Sequence, residues 1–144
     1  MDFLSPVGKE GKGRKALRMI LGFGLDVVEV ARIARQLESR SAERFLARIF
    51  TERERSFCDQ FRDRANRYAA RFAAKEAASK ALGVPPGIAF LDVEVVRERG
   101  APRLVLSGVA GEAARALRVE KAHLTLTHDG GVAAAAVILE GSAG

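Results

Sequence analysis

The sequence has no tryptophan, one tyrosine, one cysteine, two histidines and four prolines among its 144 residues. With aromatic side chains at only 6%, a core has to be filled mainly by aliphatic groups and alanine. Cys58 has no partner for an internal disulfide, which fits a reducing compartment, and a cytoplasmic location is expected. No apolar run reaches the ~18 residues of a membrane-spanning helix, so no membrane partner is expected. A secretory leader is not expected either, because the apolar stretch Met19–Leu21 is cut short by Gly22 and Asp26. One tyrosine and eight phenylalanines, several of them on apolar stripes, leave no stacking platform for bases. The arginines also alternate with acids, so no nucleic-acid partner is expected despite a pI of about 10.1. No Gly-x-x-x-x-Gly-Lys-Ser/Thr loop points to a nucleotide kinase.

What the chain does have is an apolar fraction of 48%, enough for one hydrophobic core, and a net charge of +6. The charge is uneven. Residues 1–19 carry five basic and two acidic groups, residues 29–76 twelve and eight, and residues 77–144 seven of each. Positive potential on the first half favours an anionic partner.

Residues 1–19, with Gly8, Gly11 and Gly13 among charges, read as a flexible N-terminal extension, and residues 20–144 as a single domain. Ile20–Val28 predicts a strand. Leu21, Phe23, Leu25 and Val27 form its apolar face, while Gly22, Gly24 and Asp26 occupy the other. Helices are expected over 29–39, from Ser41 to near Phe50, and onward from the capping box of Thr51 and Glu54. A long helix over 65–82 carries the stripe Ala65, Tyr68, Ala69, Phe72 and Ala73, and stops at Gly83 before Pro85-Pro86-Gly87. The period then changes to two. Strands are expected over 91–96, 103–106, 124–128 and 132–139, with a tight turn at Asp129-Gly130-Gly131. A helix over 109–118 would pack Val109, Ala113, Ala116 and Leu117. Early helices and late antiparallel hairpins give an α+β fold, an antiparallel sheet packed with a long helix and shorter helices.

One carboxylate stands out. Glu76 continues the apolar stripe of the long helix, and Lys80 follows a turn later. A charge on a core-facing stripe is costly unless it is paired or coordinated. Ala73, Ala77 and Ala81 allow another element to pack closely there. If that element is strand 20–28, Asp26 and Glu76 can share one divalent cation, and Mg²⁺ is the cofactor suited to hard oxygen ligands and phosphate. Taken singly, Asp26 also reads as a strand-end acid bonding a turn, Glu76 as a salt bridge to Lys80, and His128 as a structural histidine.

The segment Gly24-Leu25-Asp26-Val27-Val28-Glu29-Val30-Ala31-Arg32-Ile33 resembles the first signature of the holo-[acyl-carrier-protein] synthases, the small 4′-phosphopantetheinyl transferases. Arg71-Phe72-Ala73-Ala74-Lys75-Glu76-Ala77, with Lys80, Ala81 and Gly83, resembles the second. Leu126-Thr127-His128-Asp129 is similar to the family's late Ser/Thr-His strand. The resemblance implies transfer of 4′-phosphopantetheine from coenzyme A to a serine of apo-acyl carrier protein, serving fatty acid biosynthesis. It makes Asp26 and Glu76 the Mg²⁺ ligands and Lys80 a lysine near the coenzyme's pyrophosphate. Arg71, Lys75 and His128 would lie near its phosphates or nucleotide. Glu76 and Lys80 become the candidate catalytic residues, with either Glu76 or a water as the proton acceptor. Arg32, Arg35 and Arg44 would dock the acidic carrier protein. The family's homotrimer would place active sites at subunit interfaces. Val132 stands where the family often has Tyr, a departure that leaves the metal ligands intact.

Overall fold

The computed structural model describes residues 17–142. β1 (Arg18–Glu29) leads into α1 (Val30–Glu38), α2 (Ala42–Ile49), α3 (Glu52–Cys58) and the long α4 (Arg64–Ala81). A 3₁₀ turn (Phe90–Asp92), β2 (Val93–Val96), β3 (Arg103–Leu106), α5 (Gly108–Ala116), β4 (Val119–Asp129) and β5 (Val132–Ser142) follow. The result is the expected α+β arrangement. β1, β5 and β4 form one antiparallel sheet in that order, and β2 and β3 form a separate antiparallel hairpin. Gly130 and Gly131, at φ 58° and 82°, turn β4 into β5, a conformation open to glycine without steric cost. The capping box at α3 forms as expected, with the Glu54 N–H donating to Thr51 Oγ1 and the Thr51 N–H donating to Glu54 Oε1.

α4 lies across the inner face of the sheet, where Ala133, Ala135, Val137 and Leu139 of β5 are buried. Alanines at 69, 70, 73, 74, 77, 78 and 81 bury the helix on most sides, as an aromatic-poor core requires. Tyr68 and Phe50 meet edge to face at 4.8 Å beneath it.

Several expectations change. β1 starts at Arg18, so Arg18 and Met19 belong to the domain; residues 1–16 of the expected extension lie outside the described residues. The glycine face of β1 meets α4, as its close-packing pattern implies, and the apolar face is left open, with Phe23, Leu25 and Val27 59%, 52% and 61% exposed. Glu76, by contrast, is not on a core-facing stripe. With Phe72 and Lys80 it lies on the least buried side of a helix enclosed elsewhere. The buried side of α5 is Ala110, Gly111 and Ala114, one residue out of phase with the expected face. Leu91 lies within the 3₁₀ turn rather than in a strand and is exposed.

Candidate active site

The site begins with the absence of two side chains. A Cβ on Gly22 would stand 2.1 Å from the Ala81 carbonyl oxygen, and one on Gly24 1.8 Å from that of Ala77. Glycines on β1 and alanines on α4 therefore let strand and helix touch backbone to backbone. Two residues beyond Gly24, Asp26 points along the same face. Lys80 Nζ donates to Asp26 Oδ1 at 3.0 Å and to the Leu25 carbonyl at 3.0 Å. Lys80 thus pairs across to β1 rather than back to Glu76 along its own helix.

Glu76 completes the cluster. Partial burial pushes its carboxyl above the usual carboxylate range, and the charge of Asp26 pushes it further, against Lys80 and Arg32. Two carboxylates that repel one another, beside a single ammonium, form a donor set that a divalent cation would relieve. No cluster of three or more His, Cys, Asp or Glu ligands occurs among the described residues. Two carboxylates, with the remaining positions left to water and phosphate, suit Mg²⁺.

Phe90 lines two cavities, and Glu76 lines the smaller of them. The smaller, about 60 Å³, is lined by Glu76, Lys75, Ser79 and Phe90. The larger, about 450 Å³, has Arg32, Arg44 and Arg48 around a floor that includes Phe45, Phe72 and Phe90. Arg32 and Arg44 therefore line one groove. Arg35 is exposed on α1 but does not line this groove.

Arg71 and His128 meet elsewhere. They line a cavity of about 260 Å³ with Arg67, Arg97 and Thr127, and no acid is among the lining residues. Arg71 is 3% exposed, and its Nε has no hydrogen-bond partner. Its guanidinium lies 4.3 Å over the Phe57 ring, and burial lowers its pKa. Five residues before Glu76, Arg71 projects about 140° away around the helix axis. It opens towards β4 at one edge of the sheet, whereas Asp26 lies on β1 at the other.

A profile for the 4′-phosphopantetheinyl transferase superfamily matches residues 22–137. The chain belongs to this superfamily. The holo-[acyl-carrier-protein] synthase of Anaeromyxobacter dehalogenans is 67% identical over 126 residues, 86% of this chain and 98% of that relative. That of Myxococcus xanthus is 54% identical, covering 84% and 95% of the two chains. The structure of Helicobacter pylori holo-[acyl-carrier-protein] synthase in complex with coenzyme A matches with a TM-score of 0.71 at 32% identity, covering 81% of this chain and 98% of that one. A Bacillus anthracis holo-(acyl-carrier-protein) synthase structure, in complex with CoA (3′,5′-ADP), matches with a TM-score of 0.69 at 37% identity, covering 86% and 99%. Within the superfamily the chain falls among the holo-[acyl-carrier-protein] synthases.

In this transferase one expected ligand changes role. Lys75 is not open to a coenzyme phosphate: it is 2% exposed, and its ammonium donates to Glu54 and to the carbonyls of Phe90 and Val93. All three of its protons are engaged. Burial lowers its pKa, opposed by the Glu54 charge. Sequence reasoning missed Glu54 as its partner, because the capping box already accounted for that acid. It also missed Arg48, Arg67 and Arg97, ordinary surface arginines until the fold brings them to cavities. Val132 lies at the end of the sheet's outer face and is 37% exposed.

Proposed function

We infer that this chain transfers 4′-phosphopantetheine from coenzyme A to a serine of apo-acyl carrier protein, releasing adenosine 3′,5′-bisphosphate. The observation that carries the reading is the meeting of Asp26, Glu76 and Lys80 where β1 and α4 touch. It agrees with the relatives' name and with two of their structures, in complex with coenzyme A and with CoA (3′,5′-ADP). In the reaction the serine oxygen attacks the phosphorus that carries pantetheine. The bond from that phosphorus to the bridging oxygen breaks, and the electron pair leaves with adenosine 3′,5′-bisphosphate. The serine proton passes to Glu76 or to water. Asp26 and Glu76 would hold Mg²⁺, which when bound offsets charge on the diphosphate. Lys80 contributes a point charge to the same oxygens.

The acidic carrier protein would dock on the groove rimmed by Arg32, Arg44 and Arg48, where charge mainly raises the rate of encounter. The assembly we propose is a homotrimer. Two features support it. Phe23, Leu25 and Val27 leave an apolar sheet face open in one subunit. The Asp26–Glu76–Lys80 cluster and the Arg71–His128 cavity occupy opposite edges of one sheet, so a neighbour's cavity could complete the site for one coenzyme. Cytoplasmic fatty acid biosynthesis is the setting we assign. The test is product analysis: adenosine 3′,5′-bisphosphate should form from coenzyme A only when apo-acyl carrier protein is present. Formation without the carrier would indicate a hydrolase instead.

A further inference from the structure

Lys75 and Glu54 form an ion pair with side chains 1% and 0% exposed. Glu54 Oε1 accepts from Lys75 Nζ at 2.8 Å and from the Thr51 N–H at 2.9 Å, and Oε2 accepts from the Val95 N–H at 3.0 Å. The other two ammonium protons go to the carbonyl oxygens of Phe90, at 3.1 Å, and of Val93. The pair thereby ties together α3, α4, the 3₁₀ turn and β2. Burying two charges carries a desolvation penalty of several kcal/mol per ion, and apolar pairs of similar volume are often as stable. Stability is therefore a weak reason for such a pair. What an ammonium does and an apolar group cannot is grip two carbonyls at once, and one of them belongs to Phe90. Phe90 stacks on Phe72 with centroids 5.5 Å apart and 28° between the rings. It is also the wall shared by the arginine-rimmed groove and the small cavity beside Glu76.

We infer that Lys75, held by Glu54, is a positioning residue for phosphoryl transfer. It fixes Phe90 as the partition between the carrier-protein groove and the Glu76 cavity, and so sets the line along which the serine meets the diphosphate. The inference rests on the transferase reading above. A kinetic cycle tests it, with Lys75→Met, Phe90→Ala and the double variant assayed well below the melting temperature of each. Lys75→Met should lower kcat roughly tenfold to a hundredfold, as a small misplacement of reacting groups does, with the KM for coenzyme A little changed. In the Phe90→Ala background the same substitution should lower kcat by no more than about twofold, because its effect travels through Phe90. Losses that multiply, or a Lys75→Met variant with wild-type kcat, overturn the inference. If Lys75→Met does not fold, Glu54→Gln, which keeps the side-chain shape, replaces it in the same cycle. Wild-type protein that is itself inactive refutes the transferase reading, and the inference falls with it.

Discussion

Replacing Gly24 by alanine should damage both stability and turnover, although the change adds one methyl group. The new Cβ would lie 1.8 Å from the Ala77 carbonyl oxygen and 2.9 Å from the Ala81 nitrogen. To bring the first contact to 3.0 Å, β1 and α4 must part by about 1.2 Å. The clashing atoms are backbone on both sides, so no side chain can rotate away. Overpacking of this kind costs ~1–3 kcal/mol, and the rigid setting argues for the upper end, about 3 kcal/mol. For a chain of this length that lowers Tm by roughly 10 °C. The parting also draws Asp26 from Glu76, and a misplacement of about 1 Å can reduce turnover roughly a hundredfold. Gly130→Ala is the matched control: nothing stands within 4 Å of its Cβ, and the cost is only that of its φ of +58°, about 1 kcal/mol. It should turn over normally. Thermal unfolding and initial rates of carrier-protein modification, measured on both variants, decide the matter. A Gly24→Ala protein as stable and as active as wild type would refute the close-contact argument.

Other expectations follow from the same geometry. Glu76→Gln should abolish transfer while the fold persists. Without divalent cations it should also raise Tm at neutral pH, because the Glu76 carboxyl is pushed up by burial and then by Asp26. The sign is that of a raised acid: the wild type is relieved of this cost below the ordinary carboxylate value, and bears it fully once pH has risen through the higher folded-state value. The Tm gap between variant and wild type should therefore widen with pH, and a pH-independent gap would contradict the shift. Arg32→Glu should raise the KM for carrier protein and flatten its salt dependence; an unchanged KM would remove Arg32 from the docking surface. Leu25→Lys, at a position 52% exposed in the single chain, should leave secondary structure intact yet produce monomers of low activity. Sedimentation showing an unaltered, active assembly would place the subunit contact elsewhere.

The sequence carried the fold well where local chemistry dominates. The Thr51–Glu54 capping box, the Gly83 stop and the Asp129-Gly130-Gly131 turn each depend on a few adjacent residues, and each forms as expected. The glycines of β1 and the alanines of α4 also signal their close contact from the sequence alone. Facing was harder. Leu21–Val27 alternates like a strand with one buried side, but alternation cannot say whether that side meets this chain's own core or another surface. Glu76 stands out in the sequence, but α4 is buried nearly all round, Arg71 and Lys75 included, so its apolar stripe does not mark the core side. A lysine beside a candidate ligand looks available in the sequence, but Lys75 is buried and engaged. Its partners, Glu54, Phe90 and Val93, are distant in sequence, and only the fold shows that its protons are taken.

The most direct test of the central claim is intact-mass spectrometry of an apo-acyl carrier protein incubated with this protein, coenzyme A and Mg²⁺, with an EDTA control. The account predicts a mass gain of one phosphopantetheine that EDTA abolishes and that Glu76→Gln fails to produce. A folded wild-type protein that leaves several apo-carrier proteins unmodified would contradict it.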